Sequence, residues 1–338
     1  MDDAGDSEPA RVVRDPLVDA LASTLGEVGV VGRVVGLERL TGGASRETYR
    51  FDVDHELYVL QRERPGTQRR PEGMAAEADL VRAAAAAGVP VPNVIVSNSD
   101  VQEMAIGPSF FVTAAVAGET IARRILRDEP FAAARRALAG QMGVALAAIH
   151  SIDPAPLAWL ERGDELDKYR AIIDELELRR PAFELALRWL EEHRPPTAEA
   201  TVVHGDFRLG NLIVDEAGLA AVIDWELAHV SQPMEDLGWL CVRAWRFGSP
   251  SPVAGVGTYD DLFDAYAAAT GSPVDRETVR WWEILGSLKW GIMCGLQANA
   301  HLSGTYRSVE LAAIGRRIVE QEQDVLRLID ETEKGLPT

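Results

Sequence analysis

Residues 202–226 read VVHGDFRLGNLIVDEAGLAAVIDWE. Two short apolar runs, Leu212-Ile213-Val214 and Ala220-Ala221-Val222-Ile223, flank Asp215-Glu216-Ala217-Gly218. Apolar runs around a polar turn that ends in glycine spell a β-hairpin. Polar groups collect at its ends: His204, Asp206 and Asn211 before the first strand, Asp224 after the second. Pairing across the turn sets the Asn211 end beside the Asp224 end, with Asp206 on the adjoining loop. Mg2+ takes oxygen ligands, few of them protein carboxylates and the rest from phosphate and water. Asn211 and Asp224 offer such oxygens. Asp206 is then left to accept a proton from an attacking hydroxyl. Phosphoryl transfer needs little beyond positioning, charge neutralisation and an oriented nucleophile.

The pattern His204-x-Asp206-x-x-x-x-Asn211, followed by Ile223-Asp224, resembles the catalytic loop and metal-binding aspartate of the aminoglycoside phosphotransferase and choline kinase family. Trp225-Glu226 stands where protein kinases carry Phe-Gly, which is similar to the small-molecule branch. The resemblance runs from about Leu37 to about Gly304 and is most specific over 204–240. It implies an α+β, two-lobed protein-kinase-like fold. A flexible acidic tail over 1–14 precedes an N-terminal nucleotide-binding lobe over 15–115, built on a five-stranded antiparallel sheet. The larger, mainly helical C-terminal lobe over 116–338 carries catalysis and substrate binding. The resemblance further implies ATP as phosphate donor, with GTP left open, and Mg2+ as cofactor. Asp206 is the implied base, His204 the catalytic-loop residue that holds the loop in shape, and Asn211 and Asp224 the metal ligands. Asp236, soon after the metal loop, falls where that family braces the loop.

In chain order, Asp15-Pro16 opens a helix as N-cap and first-turn proline. Val30 to Leu40 reads as a strand, and so do Thr48 to Val53, Leu57 to Arg62, Val94 to Val96 and Pro108 to Thr113. Thr41-Gly42-Gly43-Ala44-Ser45 lies between the first two. Strand, glycine-rich turn, strand is the form of a phosphate-covering loop, because glycines let backbone N–H groups approach the phosphates. By position Gly42, Gly43, Ala44 and Ser45 are the implied phosphate contacts. In kinases the third strand carries a Lys or Arg for the α- and β-phosphates, and counting along that pattern places Gln61 there. Arg62 and Arg64 have the other strand parity and point to the opposite face. Pro71 to Ala87 reads as a helix on which Glu77 holds the place of the glutamate that pairs the missing cation; hydrogen bonding to Gln61 or reach to Arg62 are its options here. The linker after the fifth strand places backbone groups at Ala114 and Val116 against adenine by resemblance.

Ala132 to His150 keeps a helical face of Leu138, Met142, Leu146 and Ile149, and His150 reads as a structural helix-end residue. Residues 165–194 are helical and charged. Residues 259–329 read as three helices, with Trp281, Trp282, Leu285, Leu288 and Trp290 as core. Glu283, Asn299, His301 and Tyr306 are within reach of a substrate, and the acids of this region read as surface residues.

The net charge of −19 argues against a nucleic-acid partner and suits solubility or a cationic substrate. No run of about 18 uncharged apolar residues points to a membrane span. Cys241 and Cys294 lack metal-ligand spacing and read as reduced core residues of a cytoplasmic protein. The expectation is an ATP-dependent phosphotransferase acting on a hydroxylated small molecule, aminoglycoside-like, macrolide-like or an amino alcohol or sugar. Gln61 motivates the alternative of a nucleotide-binding pseudokinase or regulatory module. Transfer of a nucleotide instead of a phosphate is a further alternative. The acceptor and the oligomeric state stay open.

Overall fold

The structure, a computed structural model, describes residues 15–40, 46–64, 73–101 and 106–335. The expected tail over 1–14 and the Gly42, Gly43, Ala44 and Ser45 loop lie outside the described residues. Contacts divide the described residues into two compact units: one holds residues up to Asp79 together with Asn93–Ala115, the other Leu80–Pro92 and everything from Val116 on.

In the first unit α1 (Pro16–Glu27) begins at Asp15, whose carboxylate accepts from the Leu17 N–H. Strands β1 (Val34–Leu40), β2 (Arg46–Val53) and β3 (Glu56–Glu63) precede helix α2 (Gly73–Ala86), and β4 (Val94–Ser97) and β5 (Phe110–Ala114) follow it. They form an antiparallel sheet in the order β1-β2-β3-β5-β4. Strand alternation sorts the sheet into two faces. One face buries Phe51, Val53, Leu60, Phe110 and Val112 against Leu21 and Leu25 of α1. The other puts Phe111 against Met74 and Ala78 of α2. The β1 strand starts four residues later than its valine-rich sequence suggests. The second half of α2 and the turn after it go with the second unit, because the Val222 N–H donates to the Pro90 carbonyl at 2.7 Å.

The second unit opens with α3 (Ala122–Arg127) and α4 (Ala132–His150), then α5 (Glu165–Glu175) and α6 (Pro181–Glu192). Next come β6 (Thr201–Val203), β7 (Leu212–Val214), β8 (Leu219–Val222) and β9 (His229–Ser231). Strand β7 pairs with β8 as the hairpin, and β6 pairs with β9. Helices α7 (Met234–Cys241), α8 (Tyr259–Thr270), α9 (Arg276–Leu302), α10 (Val309–Gly315) and α11 (Ile318–Glu333) complete it. The C-terminal region thus has four helices where three were expected, with breaks at Gly304 (φ +80°) and after Gly315. Over most of its length α9 is buried on every side, with Ile284, Leu285, Leu288 and Ile292 packed on Phe183, Leu187 and Leu190 of α6 and on Val325 and Leu328 of α11.

Cys241 and Cys294 are free and buried, and burial raises both thiols, Cys294 to about 12. No helix among the described residues is long and apolar enough to cross a membrane.

Candidate active site

The loop between β6 and β7 carries His204, Asp206 and Asn211, and all three are buried. A short 3-10 turn over Leu209–Asn211 delivers the chain into β7. The Asn211 carbonyl accepts from the Ile223 N–H at 3.0 Å, and Leu212 pairs with Val222, so the two ends of the hairpin meet as expected. Asp224 follows in the left-handed region at φ 67° and ψ 62°. Asp tolerates that conformation better than most side chains, yet it is held there against its preference.

The Asp206 carboxylate is gripped from three sides. Trp239 Nε1 donates to Oδ1 at 3.0 Å, Arg208 Nε bridges both oxygens at 3.0 and 3.2 Å, and Asn211 Nδ2 donates to Oδ2 at 2.6 Å. Asn211 Nδ2 also reaches the Asp206 carbonyl at 2.9 Å. The amide nitrogen of Asn211 is thereby turned to Asp206. Its amide oxygen and the Asp224 carboxylate, at the two joined ends of the hairpin, are hard oxygen donors of the kind Mg2+ selects, so the donor types present fit that ion.

His204 is bonded within the loop and to the hairpin. Its Nδ1 accepts from the Asp206 N–H at 3.2 Å, which puts the proton on Nε2, and Nε2 donates to the Ile223 carbonyl at 3.1 Å. Burial depresses its basicity despite Asp236 and Asp206 nearby, so the ring is neutral. It ties the loop to the hairpin. Asp236, at the start of α7, accepts from the His204 N–H at 2.7 Å and the Gly205 N–H at 2.9 Å. Burial alone would raise this carboxyl; the hydrogen bonds from the His150 ring and the His204 N–H hold it low. His150 Nε2 meets Asp236 at 3.3 Å while Nδ1 accepts from the Tyr266 hydroxyl at 2.8 Å. The loop is thus registered to α4, α7 and α8.

Gly205 is required twice over. Its φ is +75°, and a Cβ there would lie 2.3 Å from the Leu227 carbonyl oxygen. The Gly205 carbonyl accepts from Lys289 Nζ at 3.0 Å. Lys289 is buried in α9, 3.5 Å from Glu235 and 4.6 Å from the Trp239 ring centre. Its ammonium stays charged: burial opposes the charge, and Tyr169, Glu235, Glu165 and Asp206 more than offset that. His229 lies in the same group, with Nδ1 facing the Leu227 carbonyl at 2.9 Å and Nε2 facing Glu235 at 3.2 Å. Two acceptors require two N–H groups, so His229 is an imidazolium. Burial works against that, but the Glu235 and Glu165 carboxylates raise it to about 9, and Glu235 falls to about 2. Glu165, His229 and Glu235 bring their ligand atoms within 4.8 Å of one another. The protonated imidazole and Lys289 already supply the positive charge that a metal would bring. Sequence reasoning missed Lys289, Trp239 and Arg208. A single lysine inside the apolar run Ile284–Cys294 was the signal for the first.

Other expectations need correction. Glu283 is not a surface or substrate acid: it is fully buried between Arg246 (2.9 Å), Arg280 (3.1 Å) and the Tyr259 hydroxyl (2.9 Å). His301 accepts from the Ser308 N–H at 3.0 Å beside the start of α10. The Ala114 N–H donates to the Asn93 carbonyl at 2.9 Å, within its own unit. Val116 lies in the second unit, where the chain just beyond it pairs Glu119 with Val214 of β7. Glu77 pairs with Arg46 at 2.9 Å, and Arg46 also bonds Gln61 at 2.6 Å. Arg62 lies on the opposite face, as its parity requires, 2.9 Å from Glu47.

The family match decides what this constellation belongs to: the phosphotransferase enzyme family matches residues 36–282. The chain belongs to the phosphotransferase enzyme family. Phosphoryl transfer to a hydroxyl, the class of chemistry expected from the loop, is the chemistry of this family. Among solved structures, a Ralstonia eutropha JMP134 protein assigned as an aminoglycoside phosphotransferase superposes on this phosphotransferase-family chain with a TM-score of 0.76 at 22% identity, covering 93% of this chain and 98% of its own. An aminoglycoside phosphotransferase solved with ADP and hygromycin B gives 0.60 at 17% identity, over 93% and 99% of the two chains. Both likenesses establish the two-lobed phosphotransferase fold. The mouse acyl-CoA dehydrogenase family member 10 is 30% identical over 258 residues, 68% of this chain and 23% of its own length. This chain therefore spans about a quarter of that relative.

Proposed function

We propose that the chain transfers the γ-phosphoryl group of ATP to a hydroxyl of a small molecule, with Asp206 as base. The observation that carries this reading is the triple grip of Trp239, Arg208 and Asn211 on one buried carboxylate at the mouth of the β7–β8 hairpin. Asp206 takes the proton as the acceptor oxygen bonds to phosphorus and the bond to the ADP oxygen breaks. Trp239 and Asn211 fix the carboxylate in place, and Arg208 holds positive charge where the acceptor oxygen arrives. Asn211 and Asp224 would hold Mg2+, which when bound neutralises phosphate charge. His204 and Asp236 keep the loop in shape and take no part in the proton transfer.

The surroundings of Asp206 bear on the acceptor. The Arg208 guanidinium stands 5.1 Å from the centre of the Trp245 ring, and Trp239, Trp245 and Trp290 follow one another at 5.0 and 4.9 Å. The indole N–H groups of Trp245 and Trp290 are buried with no hydrogen-bond partner among the described residues. A guanidinium set against an aromatic ring favours a neutral or anionic, partly apolar acceptor over a polyamine. The mouse relative is named for acyl-CoA, so acyl thioesters that carry a hydroxyl join the acceptors to be tested.

The test is ADP release from Mg·ATP across hydroxylated amines, sugars, macrolides, hydroxy acids and hydroxyacyl thioesters, with Asp206→Asn alongside. Acceptor-stimulated ADP formation that the variant loses is the expected result. A product heavier by AMP instead of phosphate would establish nucleotide transfer. Nucleotide binding without turnover on any acceptor would favour the regulatory reading.

A further inference from the structure

A basic residue is missing from β3, where Gln61 stands, yet the α2 face of the sheet carries a buried cation. Arg46 is the first residue of β2. Thr48 pairs with Gln61 across the β2–β3 ladder, and Arg46, two residues from Thr48, lies on the same face as its diagonal neighbour. Arg46 Nη1 donates to Gln61 Oε1 at 2.6 Å and to Glu77 Oε1 of α2 at 2.9 Å. Arg46 and Glu77 are 9% and 6% exposed. A buried ion pair adds little stability over an apolar pair of similar size, so packing alone does not account for one here. Gln61 fits this arrangement better than a lysine would. An amide oxygen accepts from the incoming guanidinium, whereas an ammonium would repel it. Arg62 is no rival: on the opposite face it is bonded to Glu47 and, at 3.1 Å, to the Ile106 carbonyl. Arg50, on the Arg46 face, is half exposed and paired with Glu38.

We propose that Arg46 is the cation that binds the α- and β-phosphates of the nucleotide, with Gln61 and Glu77 holding its guanidinium in place. The charge has moved from one strand to the next while the helix glutamate has kept its partner. A planar guanidinium grips a diphosphate through paired N–H bonds, and Arg46 directly follows Thr41–Ser45 in the chain. The proposal rests on the phosphotransferase reading above and removes the reason for the pseudokinase alternative, because the phosphate-binding charge is present.

The test compares ADP with adenosine, which lacks the phosphates, by calorimetry on the full chain with Mg2+. The set is wild type, Arg46→Gln and the exchange Arg46→Gln with Gln61→Arg. Arg46→Gln is expected to weaken ADP binding by about 10- to 100-fold, the worth of charge-assisted hydrogen bonds, and adenosine binding by no more than about twofold. The exchange restores most of the ADP affinity. ADP binding by folded Arg46→Gln at wild-type strength overturns the proposal, and so does an equal loss for ADP and adenosine. Should Arg46→Gln not fold, the exchange decides: preference for ADP over adenosine near that of wild type supports the proposal, and its loss overturns it. Wild-type chain that binds no ADP would instead overturn the phosphotransferase reading itself.

Discussion

The Asp206 carboxylate sits among donors that leave it no freedom to rotate, which suits the proposed base when its target must arrive in line. Asp206→Asn keeps the shape and removes the proposed base. Turnover should fall by about 10²- to 10⁴-fold with the KM for ATP changed only a few-fold, read from steady-state kinetics. Trp239→Phe keeps an aromatic ring and deletes one donor to the carboxylate. It should lower kcat by about tenfold, the worth of one hydrogen bond to a charged group, with a melting temperature lowered by the smaller ring in this buried place. The two residues differ in how far the sequence discloses them. Asp206 and Asn211 are five positions apart in one loop, so spacing reveals them. Trp239 reaches Asp206 from 33 residues away, and Lys289 reaches Gly205 from 84. Such contacts depend on how helices pack, which no local pattern encodes. Arg46 is an intermediate case: the parity argument that sent Arg62 to the wrong face also brings Arg46 to the right one, once the β2–β3 register is known.

The loop between β6 and β7 works because its neighbours are rigid. A Cβ added at Gly205 would lie 2.3 Å from the Leu227 carbonyl oxygen, on the approach to β9. Gly205→Ala should lose about 1–2 kcal/mol from the left-handed backbone alone, with further loss from the clash, measured by urea unfolding. Activity should fall more than stability does, because Asp206 is displaced first. Lys289→Met removes the bond to the Gly205 carbonyl and leaves Glu235 and Glu165 facing His229 alone. A loss of about 3–5 kcal/mol, typical of breaking a buried pair, is expected in the same unfolding measurement. The hairpin was legible because turn chemistry and apolar alternation agree there. The C-terminal helices were less so. Helix α9 is buried all round, so it has no polar stripe to set its limits, and the short α10 was merged with its neighbours. The run from Val30 carries β-branched residues without becoming strand until Val34, since register with β2 begins only there.

The molecule as a whole carries −19, but its response to pH is set by a few buried groups. His229 is raised from 6.5 to about 9. Its contribution to stability is complete below pH 6.5, declines as pH rises and is gone above about 9. His204 is depressed, so its contribution is complete above 6.5 and declines as pH falls. Glu235, lowered to about 2, contributes fully above 4.5 and loses that contribution only in strong acid. Melting temperature should therefore peak near pH 6.5, and His229→Gln should lower the peak and flatten the alkaline side. A melting temperature that climbs steadily from pH 6.5 to 9 would contradict the imidazolium assignment. The group of Glu165, His229, Glu235 and Lys289 also bears on descent. His229 and Lys289 face Glu165 and Glu235 in one buried space, so a lineage cannot drop one member without stranding another. Substitutions at these four positions should be inherited in pairs, and a genome survey of this family should find either the full quartet or a neutral replacement of an acid and a base together.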